Sequence, residues 1–548
     1  MDGPIPKLLV SVSRTLIFKY ARPLHHPQSS SQLPIASPGP NRILEKVIIV
    51  TIFRYFYRLF LHPLRSYPGP RLAAISHLPY ISWCVRGILH SKIRTLHEQY
   101  GEVVRIRPNS LTYCAPQAWE EIYGHRKKGQ RTFTKDPQFY IASSGQFTSM
   151  INANEEDHIR QKRLLTHAFS EKALRDQESL IMAYIDVFIT RLAEYAASES
   201  PRATNIVHWL NYLTFDIVGD LSFGEPFGCL DRSTYHPWVE TIFKSIKTGA
   251  FLRALAIYPL ANIAFNKLKP KRLIRKRLEH YQLSRDRVHK RLHVSNTISR
   301  PDFLKYILKN NSFQEGAGMA VAEIELNAAL LIQAGSETVA TALSACCFYL
   351  GRNPPKLEAT VREVRTTFAD SGHISFSATS ALLYLNAVIK EALRLYPPAP
   401  GIGPRLVPEG GAVINDQFVP AGVSVSVAQF STFRSPASFI EPDSFLPERW
   451  LPNSDSRYLT DNKNALQPFS YGPRACIGKN LAYAEMRTIL SKILWHFDIS
   501  LQPGSDSWDQ SLSYIVWENQ PLNVVLRPAM NSHNLFRKRG NTPNNSMP

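Results

Sequence analysis

Cysteine is scarce in this chain of 548 residues: there are six, at positions 84, 114, 229, 346, 347 and 476, and none forms a CxxC pair. That spacing supports neither a thiolate zinc site nor the disulfide framework of a secreted scaffold, so the bulk of the chain reads as facing the cytosol. The sequons at Asn310 and Asn544 are too short a pattern to alter this. A long apolar run is also missing. "LLVSVSRTLIF" is broken by Arg14, and "VIIVTIF" at 47–53 is soon followed by Arg54 and Arg58, whereas a clean spanning helix takes about 20 mostly apolar residues. Acidic residues are in deficit, 44 against 64 Lys and Arg, which leaves a net charge of +20. Such an excess admits nucleic acid, an anionic membrane or an acidic protein as partner. No zinc finger, homeodomain or RNP-type pattern accompanies it, so nucleic acid is not a partner we expect. Charged residues are only 20% and hydrophobic ones 44%, which excludes global disorder.

Length alone would suggest about three or four domains, yet the chain divides differently. Residues 1–66 form an N-terminal extension, with a Pro/Ser/Gln-rich linker at 23–41. After it comes "VIIVTIFRYFYRLFLHPL", apolar, aromatic and basic as an interfacial anchor is, ending at the prolines of "YPGP". Residues 67–527 read as one mostly helical body without internal repeats, and 528–548 as a polar disordered tail. Helical periodicity predicts helices over 157–170, 178–196, 321–351, 355–369 and 380–396, and alternation predicts strands over 102–108 and 422–430. The basic run from Lys267 to Leu292 interleaves Leu273, Ile274, Leu278, Val288 and Leu292 at helical spacing. It is either a solvated helix face or a membrane-facing surface.

The remaining cysteine chemistry concentrates in "PFSYGPRACIGKNLA", residues 468–482. A thiolate is favoured by nearby positive charge, backbone N–H donors and a helix N-terminus. Arg474 lies two residues before Cys476, Gly472 and Gly478 permit a tight loop, and an amphipathic pattern follows from Leu481. A merely structural cysteine is the alternative, but it does not account for two glycines, an arginine and Phe469 around one thiol.

Phe469, Gly472, Arg474, Cys476 and Gly478 fit FxxGxRxCxG, which resembles the haem loop of the cytochrome P-450 family. The resemblance implies that Cys476 is the thiolate ligand of the iron in haem b, iron protoporphyrin IX. Three further motifs stand in the family's order. "AGSET" resembles the oxygen-binding helix, where the resemblance implies space at Gly335 and a proton relay through Glu337 and Thr338. Small residues at a helix crossing are the other reading of that stretch. Glu391 and Arg394 of "EALR", with Arg449 of "FLPERW", resemble the buried charge network that supports the haem side; by themselves Glu391 and Arg394 could be an exposed pair. Arg405 and Arg474 resemble two arginines that bind haem propionates. One motif departs. The family's WxxxR becomes "HIRQKR", with His158 for the tryptophan and Lys162 for the arginine, so the contact passes to Lys162 or to the adjacent Arg163.

The resemblance spans about residues 67–527, especially to fungal membrane-associated members, through "FLHPLRSYPGPRLAAIS" and "SVAQFSTFRSPASF". It implies a mainly α fold with a smaller β-rich region, and haem between the oxygen-binding helix and the cysteine loop. The implied reaction is monooxygenation: one oxygen atom of O2 enters an apolar substrate, a terpenoid or polyketide of secondary metabolism. Electrons would come from NADPH through a separate reductase, and the protein would be a monomer at the endoplasmic reticulum membrane. Substrate walls are expected near 143–155, at Gln333, at Pro398–Gly403 and at Ile515–Trp517. Isomerisation or dehydration on the same haem, or a haem sensor, are the rival readings; neither needs Glu337 and Thr338.

Overall fold

The computed structural model describes residues 40–529 except 128, 141–146, 197–202, 259–270, 295–299 and 313–316. The Pro/Ser/Gln linker up to residue 39, "LLVSVSRTLIF", Asn544, the tail from 530 and part of the expected 143–155 wall lie outside the described residues. The chain falls into two compact units, one up to Arg54 and one from Tyr55.

Helix α1 covers Pro40–Phe56 and continues as a π-helical turn, Tyr57–Leu61. Pro63 ends it. The residue before a proline is pushed out of the helical region, and His62 sits at φ −65°, ψ 142°. The stop therefore falls several residues ahead of the "YPGP" expected from sequence. Between Ile48 and Phe53 the apolar side chains at 48, 49, 50, 52 and 53 are all exposed, with Thr51 the polar residue among them.

In the second unit, α2 (Leu78–Val85) and α3 (Leu89–Tyr100) precede a five-stranded sheet. Its strands are β1 (Val103–Arg107), β2 (Ser110–Tyr113), β3 (Thr134–Lys135), β4 (Arg405–Leu406) and β5 (Ser424–Val427), in spatial order β1-β2-β5-β4-β3. Only β2 and β5 run parallel, from Ser110↔Ser424 to Tyr113↔Val427. The predicted strand over 422–430 is shorter than expected because its partner β2 ends at Tyr113; the Ala428 amide closes the ladder on the Tyr113 carbonyl at 2.7 Å. Residues Gln429–Phe433 then turn into a short helix.

The helical body follows the predicted periodicity closely. Helix α4 (Glu155–Thr166) starts where the Asn154 side chain accepts the Asp157 amide and gives way to a tight turn at His167–Phe169. Then come α5 (Glu171–Ala196), α6 (Ile206–Phe223), α7 (Pro237–Ala256), α8 (Lys271–Val294), α9 (Val321–Arg352), α10 (Pro354–Thr367), α11 (Leu383–Leu395) and α12 (Lys479–His496). Helix α9 is the axis of the core and lies along α6, with Ile332, Val339 and Leu343 buried. Among the described residues it alone is long and apolar enough to cross a membrane, but most of that stretch is buried inside the protein. The second half of α8 docks on the body: Arg291 pairs with buried Asp302 at 2.6 Å, and Arg287 lies 4.7 Å from the Phe227 ring. At least this part of the basic run is spent on intramolecular contacts.

Candidate active site

The cysteine loop is held open by its own backbone. Gly472 adopts φ +73°, and a Cβ there would fall 2.0 Å from the Tyr123 carbonyl oxygen, so only glycine fits. The Cys476 amide donates to the Phe469 carbonyl at 2.8 Å, and the Phe469 ring lies 5.1 Å from that of Tyr483 on α12. Gly478 caps α12, and its amide donates to the Cys476 sulfur. Burial pushes the thiol up, against the pull of that amide, Lys162 and Lys479. The sequence led us to expect a lowered value; desolvation is the stronger effect here. Yet Cys476 is exposed by area. The two facts agree if its free face opens into an enclosed space and not into bulk water.

Arg474 does not act on the sulfur. It pairs with Glu155 at 2.7 Å and donates to the Asn154 carbonyl at 3.2 Å, while its Nη1 is buried without a partner. It belongs to a cluster of basic side chains with Lys135, Lys162 and Arg405 around His158. Burial, then Arg474, Lys135, Lys162 and Arg405, lower the His158 pKa to about 3, and its Nδ1 has no partner. Burial, then Arg474 and Arg405, lower Lys135 to about 7. Lys162 donates to the Pro473 carbonyl at 2.6 Å, and Arg405 to the Tyr140 hydroxyl at 2.9 Å. Like charges so arranged are unfavourable unless an anionic group completes them. Glu155 is the carboxylate seen pairing within this cluster, and it is half-exposed. The residues present therefore fit a bound group that carries carboxylates beside the cysteine, as haem does. Arg163 is not part of this: it is exposed and donates to the Ala317 carbonyl at 3.0 Å. Lys135 was missed from sequence, because it sits in no motif and reaches the cluster only through the pairing of β3 with Arg405 on β4.

On α9, Gln333 and Ala334 are exposed and Thr338 is half-exposed, although the helix around them is buried. The Thr338 hydroxyl donates to the Ala334 carbonyl at 2.6 Å. Glu337 lies elsewhere on the helix, buried near Tyr235, with Oε2 unpartnered and its pKa raised to about 8 by burial. A carboxyl so placed is mostly protonated at neutral pH. Gly335 serves the helix crossing: the Cβ it lacks would meet Val218 of α6 at 3.2 Å. The space expected at Gly335 is thus taken by a neighbouring helix.

Glu391 and Arg394 are fully buried, not an exposed pair, and meet at 2.8 Å. Arg449 reaches Glu391 at 3.2 Å and also pairs with Asp461. The Trp450 indole donates to Glu391 at 2.8 Å, and Arg394 also donates to the carbonyls of Phe433 and Ser444. Burial pushes the Glu391 carboxyl up, but Arg394 and Arg449 outweigh it and hold it below its ordinary value. Asp461 and Trp450 complete the network and were not foreseen. Of the expected substrate walls, Pro400, Gly401, Ile402 and Ile515 line one cavity. Trp517 does not; it is core, stacked on Tyr396 at 4.3 Å between ring centres.

A glycine-shaped cysteine loop, a cluster of basic side chains lacking matching carboxylates and a central helix with an open stripe are what a haem-thiolate enzyme requires. The family model of cytochrome P-450 matches residues 67–526. The chain is 58% identical over 478 residues to the cytochrome P-450 monooxygenase astJ of Aspergillus oryzae, covering 87% of this chain and 94% of that one. It is 42% identical to the cytochrome P-450 monooxygenase astA of Talaromyces wortmannii, over 86% and 94% of the two chains. To the trichothecene C-15 hydroxylase of Fusarium sporotrichioides it is 41% identical, over 90% and 98%. The chain belongs to the cytochrome P-450 family and is a monooxygenase. Membership brings a haem with cysteine thiolate ligation.

Proposed function

We propose that this enzyme hydroxylates or epoxidises an apolar fungal secondary metabolite, with electrons from NADPH delivered by a separate reductase. The trichothecene hydroxylase among its relatives supports a terpenoid-like substrate. The observation that carries the reading is the Cys476 sulfur, desolvated yet exposed by area, beside cationic groups without matching anions.

Bound haem supplies the one-electron and O2 chemistry. Cys476 would hold the iron, while Lys162, Arg405, Arg474 and Lys135 would take the propionates and His158 would stay neutral among them. Glu337 brings a proton held on a buried, unpartnered carboxyl, and Thr338 a hydroxyl whose proton is parked on the Ala334 carbonyl. The two lie at adjacent positions on α9, so Thr338 has to exchange its hydrogen bond before it can pass a proton on. Gly335 supports this only by letting α9 approach α6. Phe469 and Gly478 shape the loop, and Arg163 stays outside it.

The exposed apolar side chains of α1 support membrane association, with the catalytic unit on the cytosolic side of the endoplasmic reticulum. Reduced enzyme with carbon monoxide should show the red-shifted Soret band of thiolate ligation, and Cys476→Ala should lose it. Retention of that band in the variant would remove Cys476 as the ligand. Product formation with reductase and NADPH separates oxygenation from isomerisation or haem sensing.

A further inference from the structure

A cavity lies between α2, α3, the sheet, α7 and the segment around Ile515, and it is apolar over most of its wall. Its lining carries two arginines, Arg107 and Arg253, and no carboxylate among the described residues. Arg107 of β1 is buried and donates to Gln138 at 3.2 Å and Ser424 at 3.2 Å, with Asp136 as its carboxylate at 3.4 Å. That carboxylate is already shared with the Ser424 hydroxyl at 2.6 Å. The Arg107 Nε remains buried with no acceptor. Arg253 of α7 has no carboxylate partner among the described residues; it lies 5.4 Å from the Phe139 ring, and burial lowers its pKa. Tyr80 and Cys84 hydrogen-bond each other beside both guanidinium groups. Burial holds the Cys84 thiol up at about 11 and His90 down at about 4, so both stay neutral at physiological pH. Two guanidinium groups against one carboxylate leave a desolvated positive charge in an apolar chamber. Leaving a desolvated charge without its partner is costly, and a carboxylate is the group an arginine fork matches.

We propose that this chamber receives an apolar substrate bearing one carboxylate, which Arg253 binds and the Arg107 Nε supports. The proposal rests on the monooxygenase reading for its purpose, since the chamber shares Pro400, Gly401, Ile402 and Ile515 with the expected substrate walls. It narrows the substrate class from any apolar metabolite to an apolar acid.

The test is calorimetric titration of the full-length holoenzyme with decanoic acid and with methyl decanoate, which share the acyl chain and differ in that the ester caps the carboxylate with a methyl group and so carries no charge. The acid should bind about tenfold tighter or more. Arg253→Gln should bring the acid down to the affinity of the ester. Arg253→Lys should keep part of the preference, because lysine retains the charge but loses the fork. Equal affinities for acid and ester in the unaltered enzyme would overturn the proposal, as would an acid preference undiminished in Arg253→Gln. Calorimetry does not depend on the haem spectrum, so the two readings fail separately. Absence of the thiolate band with the acid preference intact would sink the monooxygenase reading and leave this site standing.

Discussion

Two buried glutamates show how single residues here are governed by what surrounds them. Glu337 and Glu485 both lack a partner for one carboxyl oxygen, and burial raises each to about 8. Between the unfolded value of 4.5 and about 8 the folded chain binds more protons than the unfolded one. Stability therefore falls as pH rises through that window. Glu485 lies on α12 and no motif uses it, so it isolates the effect. Glu485→Gln should flatten the decline, with a gain of at most about 4 kcal/mol near pH 7.5. Denaturant midpoints from pH 5 to 8 measure this; parallel curves for the variant and the parent would refute it. Thr338 belongs to the same scale. Its hydroxyl sits on the open stripe of α9, so Thr338→Ala should continue to consume NADPH while product falls and hydrogen peroxide appears. Unchanged coupling of NADPH to product would remove Thr338 from proton delivery.

Among the elements, the turn at Gly472 shapes the cysteine loop, and the Glu391 network ties α11 to the segment around Arg449. A Cβ at 472 would collide with backbone, not with a side chain that could rotate away. Gly472→Ala should therefore displace the turn and abolish haem incorporation while far-ultraviolet circular dichroism persists. Full incorporation would show that the loop tolerates the shift. Glu391 accepts from Arg394, Arg449 and Trp450 in a dry interior. Glu391→Ala leaves the buried Arg394 guanidinium without a carboxylate and Arg449 with Asp461 alone, and removing one partner of such a network costs about 3–5 kcal/mol. A urea midpoint close to that of the parent protein would contradict this.

For the whole molecule the prediction concerns the membrane. Side chains at Ile48, Ile49, Val50, Ile52 and Phe53 are exposed along α1, an apolar surface that enters acyl chains favourably. Lys46 and Arg54 bracket the stretch, and each costs roughly 2.5–3.5 kcal/mol at a bilayer centre, so both are expected near the headgroups. Replacing Ile49 and Ile52 together with glutamate should move the enzyme from the membrane pellet into the carbonate-soluble fraction. A variant that stays wholly in the pellet would place the anchor elsewhere. Within the basic run, Arg287 and Arg291 already have partners in the protein, so these two are not counted on for lipid contact.

Much of this enzyme was legible in its sequence because the signals are local. FxxGxRxCxG needs only ten consecutive residues to set a glycine turn before a helix N-terminus. The 3.6-residue period located α4, α5, α9, α10 and α11 to within a few residues, except that α5 starts earlier, at Glu171. What the sequence could not reveal depends on which distant groups meet. Lys135 enters the cation cluster through strand pairing, Asp461 closes the Arg449 network from twelve residues away, and Arg163 turns outward while its neighbour Lys162 turns in. The sign of the Cys476 shift was likewise undecided by its neighbours in the chain. Charge and dipole can be read off adjacent residues, but desolvation is set by everything packed around the sulfur, and only the tertiary structure determines that.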